Sequence, residues 1–236
     1  MSDIVDDRGY NQVWERNETF KIRIERRAEL IINEMDKKDK TINVLEIGSG
    51  TGEISYFIAN KTKANVLGID LCQPFVDGAN NEFKLSNLNF MNLDFNHPEK
   101  LMGMKFDYII GNGILHHLYY QLDSALVNIH ALLKDGGKFI FMEPNIYNPY
   151  CYLIFKFDTF RKLAKLEPDE MAFSRNFIKQ KLQKAHYQQV NVSYRDFLLP
   201  NTPSFLVKPI IWVGDIIEKI FPLNRVTQSI FICAKK

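Results

Sequence analysis

The stretch Val44–Ser55, VLEIGSGTGEIS, constrains the fold of this chain more than any other. A run of strand-forming residues ends at Glu46 and Ile47, glycines follow at 48, 50 and 52, and a helical pattern begins with Ile54, Phe57 and Ile58 on its apolar side. Glycine tolerates left-handed backbone and, lacking a Cβ, lets a ligand approach the main chain closely. A glycine turn between a strand and a helix therefore reads in three ways: the phosphate cradle of a nicotinamide enzyme, the seat of another adenosine cofactor, or a bare tight turn.

The cadence of the chain fixes the sheet around that turn. After the helix come the strand NVLGID (65–70), a helix at about 73–85, and the strands LNFMNLDF (88–95) and FDYIIGN (106–112). A helix over 120–134 carries Leu122, Leu126, Ile129 and Leu133 on one side and stops at Asp135-Gly136-Gly137, before the strand KFIFMEP (138–144). Strands alternating with helices pair in parallel through right-handed crossovers, which predicts an α/β, Rossmann-like doubly wound sheet. Residues 1–19 read as an irregular arm holding Tyr10 and Trp14, and Ile24, Ala28, Ile31 and Met35 place an amphipathic helix over 20–37. Beyond Pro144 the cadence fails. Residues 145–186 look helical, QQVNVSYRDF (188–197) alternates as a strand, 203–221 is a strongly apolar helix, and QSIFICAKK (228–236) closes as a strand. The expectation is one domain over 1–236, with seven strands, the last antiparallel. An arm and helix occupy 1–38, a cofactor-binding core 40–145, and helical cap insertions over the acceptor site 145–186 and 198–226.

Composition narrows the function classes. A net charge of +2 over 236 residues gives no electrostatic case for nucleic acid. Cys72, Cys151 and Cys233 lack paired spacing, which argues against disulfides or zinc and suits a reducing cytoplasm. The N-terminus has no signal-peptide core, and no apolar run approaches the roughly 18 residues a spanning helix needs. Contact with a membrane surface stays open.

Spacing separates the cofactor readings. Asp70 ends the second strand, 22 residues after Gly48, where a carboxylate can accept both hydroxyls of a ribose. Dinucleotide sites favour G-x-G-x-x-G, and the position of the third glycine here holds Glu53, which would repel a pyrophosphate at the helix start. A cofactor with a cationic centre and no phosphate fits better. In this order and spacing, VLEIGSGTG, VLGIDL, NLDF, FDYIIGNGILHHL and LLKDGGKFIFMEP resemble the successive motifs of class I S-adenosylmethionine-dependent methyltransferases, over about residues 40–145. The core motifs are also similar to those of quinone-pathway methyltransferases. The resemblance implies that Gly48, Ser49 and Gly50, with Glu46 just before them, flank the methionine portion of S-adenosyl-L-methionine. It implies Asp70 on the ribose with Leu71 beside the adenine, and Asp94 on the adenine amino group with Phe95 packing nearby. Gly111, Asn112 and Gly113 would offer backbone oxygens to the methionine ammonium. Tyr10 and Trp14 would close as a lid, or else pack on the sheet.

Methyl transfer from a sulfonium needs an aligned acceptor and excluded water more than it needs a catalytic group. Candidates for a base are His116 and His117 after the fourth strand and Glu143 at the end of the fifth; the histidines equally read as pocket wall. The Asn/Asp-Pro-Pro-aromatic run of nucleic-acid and exocyclic-amine methylation is absent, GNGI standing in its place. No metal set is evident, only Glu143 being positioned to serve. Two apolar segments, NPYCYLIFKFDTFRKLAK and PSFLVKPIIWVGDIIEKIF, read as the roof of an acceptor pocket or as a face resting on a bilayer. Either way the acceptor is expected to be a small hydrophobic or amphiphilic molecule: an aromatic, a prenylated quinone-like ring or a lipid-linked intermediate. The alternatives are a nucleotide-dependent oxidoreductase and a non-catalytic binding module that keeps the fold.

Overall fold

A computed structural model of the chain describes residues 16–37, 39–199 and 202–236. Seven strands form one mixed sheet: β1 (Ile42–Ile47), β2 (Ala64–Asp70), β3 (Leu88–Asn92), β4 (Phe106–Asn112), β5 (Leu133–Pro144), β6 (Gln188–Arg195) and β7 (Ser229–Lys235). Their order is β3-β2-β1-β4-β5-β7-β6. The first five pair in parallel, and β7 runs antiparallel between β5 and β6. The central strands are covered on both faces, so β1 and β4 read as near-continuous buried runs rather than as alternation. On one face Val44, Val66 and Ile110 pack against α1 (Glu18–Glu34), α2 (Glu53–Lys61) and α3 (Gln73–Glu82) through Ala28, Ile58 and Val76. On the other, Ile109, Phe139 and Phe141 meet Leu126 and Ile129 of α4 (Leu122–Leu132). The strand order reverses between β1 and β4, and a ligand crevice opens at the carboxyl ends of such strands.

Two stretches differ from the sequence expectation. The helix expected over 120–134 is shorter, entered through a 3-10 turn, Leu115–Gln121, and ended when Leu133 pairs with Phe106 as the start of β5. The stretch 145–186 breaks into α5 (Pro149–Lys156), α6 (Asp158–Leu163) and α7 (Arg175–Lys184). Between α6 and α7 the chain makes turns and then runs beside the end of β5 at Phe173, whose N donates to Pro144 O at 3.1 Å and whose O accepts from Ile146 N at 3.0 Å. The last helix, α8 (Ser204–Ile217), gives way to turns before a short 3-10 element, Leu223–Val226.

Arg27, on the buried side of α1, ties the helical layer to the sheet. Its Nε and Nη2 donate to Asp196 Oδ2 at 2.9 and 2.7 Å, and Nη1 donates to Asn112 Oδ1 at 2.7 Å. Nη2 also reaches Gln228 Oε1 and Ser229 Oγ. Arg23, one turn earlier, lies 3.7 Å from the same carboxylate. Burial works to raise the Asp196 carboxyl, but Arg27 and Arg23 outweigh it and hold it below the usual carboxylate range. Removing one partner of a buried ion pair leaves the other uncompensated, at a cost of about 3–5 kcal/mol. Asp196 sits at φ 69, which asparagine tolerates, so Asp196→Asn isolates the charge. Its urea unfolding free energy near pH 7 should fall by about that amount. A carboxyl whose folded value is depressed stabilises above its unfolded value and loses that contribution as the pH falls. The gap between the two proteins should therefore narrow in acid.

Candidate functional site

The turn from β1 into α2 is held from beneath by β2. Ser49 N donates to Ile69 O at 2.9 Å, and Gly50 N donates to Asp70 Oδ2 at 2.7 Å. Cys72 N donates to Asp70 Oδ1 at 2.8 Å. Asp70 is thus aimed by two backbone N–H groups, and its oxygens keep acceptor capacity for a ligand. Gly48 stands at φ +68, and a Cβ there would lie 2.7 Å from the Ile114 side chain, so both conformation and space require glycine.

These residues open onto a cavity of about 380 Å³. Glu46, Gly48, Ser49 and Gly50 form one end of its wall; Asp70, Leu71, Asp94 and Phe95 form another, and Asn112 and Gly113 border it from β4. Ser49 is buried, and its hydroxyl has no hydrogen-bond partner among the described residues, an orphaned polar atom at the place expected to meet the amino-acid end of the cofactor. Glu46 is also buried; Ser55 Oγ donates to it at 2.5 Å. Burial pushes the Glu46 carboxyl up to about 8, against the Ser55 bond and with help from the nearby charges of Glu53 and Asp70. Asp94 is half-buried and accepts from Asn96 N at 2.8 Å. The donor set therefore fits an adenosine with a charged amino-acid tail.

Several residues stand differently from expectation. Gly111 is not among the cavity-lining residues: it pairs within the sheet with Ile47 and Phe141, and a Cβ there would collide with Phe141 and Ile114. Tyr10 and Trp14 lie outside the described residues. Phe20 and Ile24 of α1 line the cavity instead, their place foreshadowed only by the apolar face of that helix. Glu53 is ion-paired with Arg16 at 2.6 Å, so its charge alone is a weaker bar to a pyrophosphate than the sequence suggested. Its side chain still occupies the position that a dinucleotide fingerprint leaves to glycine.

The three candidate bases separate cleanly. Glu143 is buried, and its carboxylate accepts from Ile114 N at 3.0 Å, Leu115 N at 2.8 Å and His116 N at 3.3 Å, capping the 3-10 turn. His116 Nδ1 meets the same carboxylate at 2.9 Å. Burial, with His117 alongside, holds the His116 imidazole below its ordinary value against the pull of Glu143 and Glu170. Neither Glu143 nor His116 is among the cavity-lining residues, whereas His117 is.

Glu170 was missed. It lies in a stretch that the sequence reads as helical; instead turns follow α6, and Met171 N donates to His116 O at 3.2 Å, which brings Glu170 inward. Its Oε1 stands 3.2 Å from His117 Nδ1, and its Oε2 3.9 Å from His116 Nε2. Burial works to raise the Glu170 carboxyl, yet the two histidines, His117 foremost, bring it below its ordinary value. Ligand atoms of His116, His117 and Glu170 lie within 4.8 Å of one another, a set that could take a divalent cation. The expectation that only Glu143 could serve a metal is therefore replaced: Glu143 is occupied as a cap, and the ligand-type set forms around Glu170.

Comparison with known proteins agrees with the geometry. Residues 45–139 match a family model described as a methyltransferase domain. A putative protein N5-glutamine methyltransferase of Methanocaldococcus jannaschii is 34% identical over 124 residues, 49% of this chain and 60% of that protein. The chain spans 60% or less of the length of each curated relative it matches. Among solved structures, a SAM-dependent methyltransferase from Archaeoglobus fulgidus superposes with a TM-score of 0.64 at 18% identity, covering 92% of this chain and 94% of that one. Phosphoethanolamine N-methyltransferase 2 of Haemonchus contortus, solved with S-adenosyl-L-methionine, superposes at 0.66 and 15% identity, over 99% of this chain and 60% of that one.

Asp70 offers the sharpest check on the cofactor end. Asp70→Ala should weaken S-adenosylhomocysteine binding by about 1–3 kcal/mol in a calorimetric titration. Melting temperature measured alongside separates lost contacts from a loosened glycine turn.

Proposed function

We propose that this chain, whose residues 45–139 match a methyltransferase domain, is a class I S-adenosylmethionine-dependent methyltransferase that transfers a methyl group to oxygen or nitrogen of a small, largely apolar acceptor. The observation that supports this best is the glycine turn with acids at the ends of β2 and β3 around one cavity, together with the orphaned Ser49 hydroxyl. Asp70 would hold the ribose hydroxyls, Leu71, Asp94 and Phe95 the adenine, and Ser49, Gly50, Asn112 and Gly113 the amino-acid end. Bound there, S-adenosylmethionine supplies a methyl group already activated on sulfur.

What remains for the chain is alignment, exclusion of water and, for a hydroxyl acceptor, removal of a proton. Phe20, Ile24, Ile114 and Leu118 give the cavity an apolar wall, which favours a hydrophobic or amphiphilic acceptor over a polar one. His117 is the one candidate base on the cavity wall, with Glu170 behind its Nδ1. A carboxylate at Nδ1 orients the ring and leaves Nε2 towards the acceptor, so His117 would take the acceptor proton at Nε2 while Glu170 fixes the ring. The relatives differ in the acceptors their names state, so the acceptor is inferred from the cavity alone.

Calorimetric titration with S-adenosylhomocysteine beside NADH tests the cofactor: binding of the first and silence of the second is expected, and the reverse would transfer the chain to the oxidoreductases. A second outcome concerns Glu46. Burial holds its carboxyl protonated up to about pH 8, and a cationic ligand beside it favours the carboxylate. Cofactor binding near pH 7 should release a proton, seen as a buffer-dependent binding enthalpy that Glu46→Gln abolishes. A carboxyl raised in the folded state also makes the empty protein lose stability as pH climbs from the ordinary carboxylate range towards 8. Glu46→Gln should flatten that decline. With a hydroxyl acceptor, His117→Asn should lower kcat by about 10²–10⁴ while leaving cofactor affinity within a few-fold.

A further inference from the structure

Helix α8 is apolar nearly all round, yet it buries only Val207 and Gly214. Phe205, Trp212 and Phe221 are 76%, 69% and 71% exposed, and Ile216, Ile220 and Leu223 continue the patch. The start of α5 is stitched to the end of this segment, Asn148 Nδ2 donating to Val226 O at 2.7 Å and Asn145 Nδ2 to Arg225 O at 2.9 Å. Along α5 and α6, Tyr152, Phe157, Phe160 and Leu163 are exposed as well. Scattered surface apolar residues need no explanation, but two joined elements of them do.

The charges on this surface are sorted. Over 149–165 and 203–226 there are seven Lys and Arg against three Asp and Glu, an excess of four where the whole chain carries +2. Two of the three acids turn towards the body of the protein: Asp215 pairs with Arg26 at 2.7 Å and Glu218 with Arg195 at 3.0 Å. Lys156, Lys162, Lys208 and Lys219 are exposed and form no ion pair among the described residues. At 14 residues, α8 is too short to cross a bilayer, and no helix among the described residues is long and apolar enough to do so. Exposed aromatic and aliphatic side chains flanked by unpaired lysines suit the interface of an anionic bilayer, apolar groups among the acyl chains and ammonium groups at the headgroups. A second copy of the chain would set these lysines against one another.

We propose that α8, with α5 and α6, docks this protein on an anionic membrane surface. The placement bears on the cavity. Thr19 Oγ1 donates to Thr202 O just before α8, and Arg26 holds Asp215 on it, so the docking helix braces α1, whose Phe20 and Ile24 line the cavity. On the other side, α6 leads through the next stretch to Asp169, also on the cavity wall. A membrane-resident acceptor would meet the enzyme where its cavity is walled. Docking itself does not depend on the methyl-transfer reading, because it is measured without cofactor.

The test is co-sedimentation of the full chain with phosphatidylcholine vesicles, with and without phosphatidylserine. Binding to the anionic vesicles, weakened by salt, is expected. The chain has two tryptophans, so in a Trp14→Phe background the emission of Trp212 should shift to the blue on those vesicles. Lys208→Glu with Lys219→Glu should weaken vesicle binding by roughly tenfold or more, each cation being worth about a factor of five near such a surface. S-adenosylhomocysteine binding by that double variant should be unchanged, which separates docking from the cofactor site. Absence from anionic pellets at low salt, or an unmoved Trp212 emission, would overturn the proposal. So would concentration-dependent self-association that shields Trp212 without lipid, which would make the face a contact between copies.

Discussion

One guanidinium holds the architecture around the cavity in register. Arg27 leaves α1 at 5% exposure, and its donors reach the end of β4 at Asn112, the residue after β6 at Asp196, and the approach to β7 at Gln228 and Ser229. Those contacts join the end of β4 to the two ends of the connection between β6 and β7, and nothing in backbone pairing alone sets α1 against them. A planar fork with fixed donor directions does so in a way an ammonium could not. Because Asn112 borders the cavity and Phe20 and Ile24 sit on the same helix, this cluster sets the width of the site as well as the packing of the layer. The helix is thus a wall positioned by electrostatics, over a sheet assembled by burial.

Three acids at strand ends show how surroundings divide one functional group among roles. Asp70 ends β2 with two backbone N–H groups aiming it into the crevice. Glu46 in β1 is stripped of water and keeps its proton towards pH 8. Glu143 ends β5 spent on three N–H groups of the next turn, which secures the backbone that carries both histidines. From the sequence all three were acids near strand ends. What separates them is which neighbouring amides are left over when the sheet ends, a tertiary matter.

The sheet, its order of elements and its antiparallel finish were legible because each strand and crossover helix carries its own periodicity, and the glycine turn marks where the cofactor end lies. Asp70, Asp94 and Ser49 were singled out by the same route, through position after a strand, and all three lie on the cavity wall. Glu170 was not, because its stretch has helical composition and its inward course comes from hydrogen bonds to His116 and, at Phe173, to the end of β5 that no local pattern announces. Gly111 was placed at the ligand for its motif, while Phe141 and Ile114 leave it no room for a side chain. Arg27 went unremarked in the sequence, and only the far end of the chain, at Asp196 and Ser229, explains a guanidinium buried on that helix. Local signals predicted what local forces determine.

The pairing of Asn145 with Phe173 has a further consequence. The two ends of the intervening segment meet as neighbours beside the sheet, so everything between them is a loop closed at its neck. The entropy of closing such a loop grows only slowly with its length. The start of α5 is tied down, by Asn148 to Val226 and by the buried Cys151 and Phe155, whereas α6 buries none of its residues. Length can therefore change about α6 while Glu170, close to the neck, keeps its place against His117.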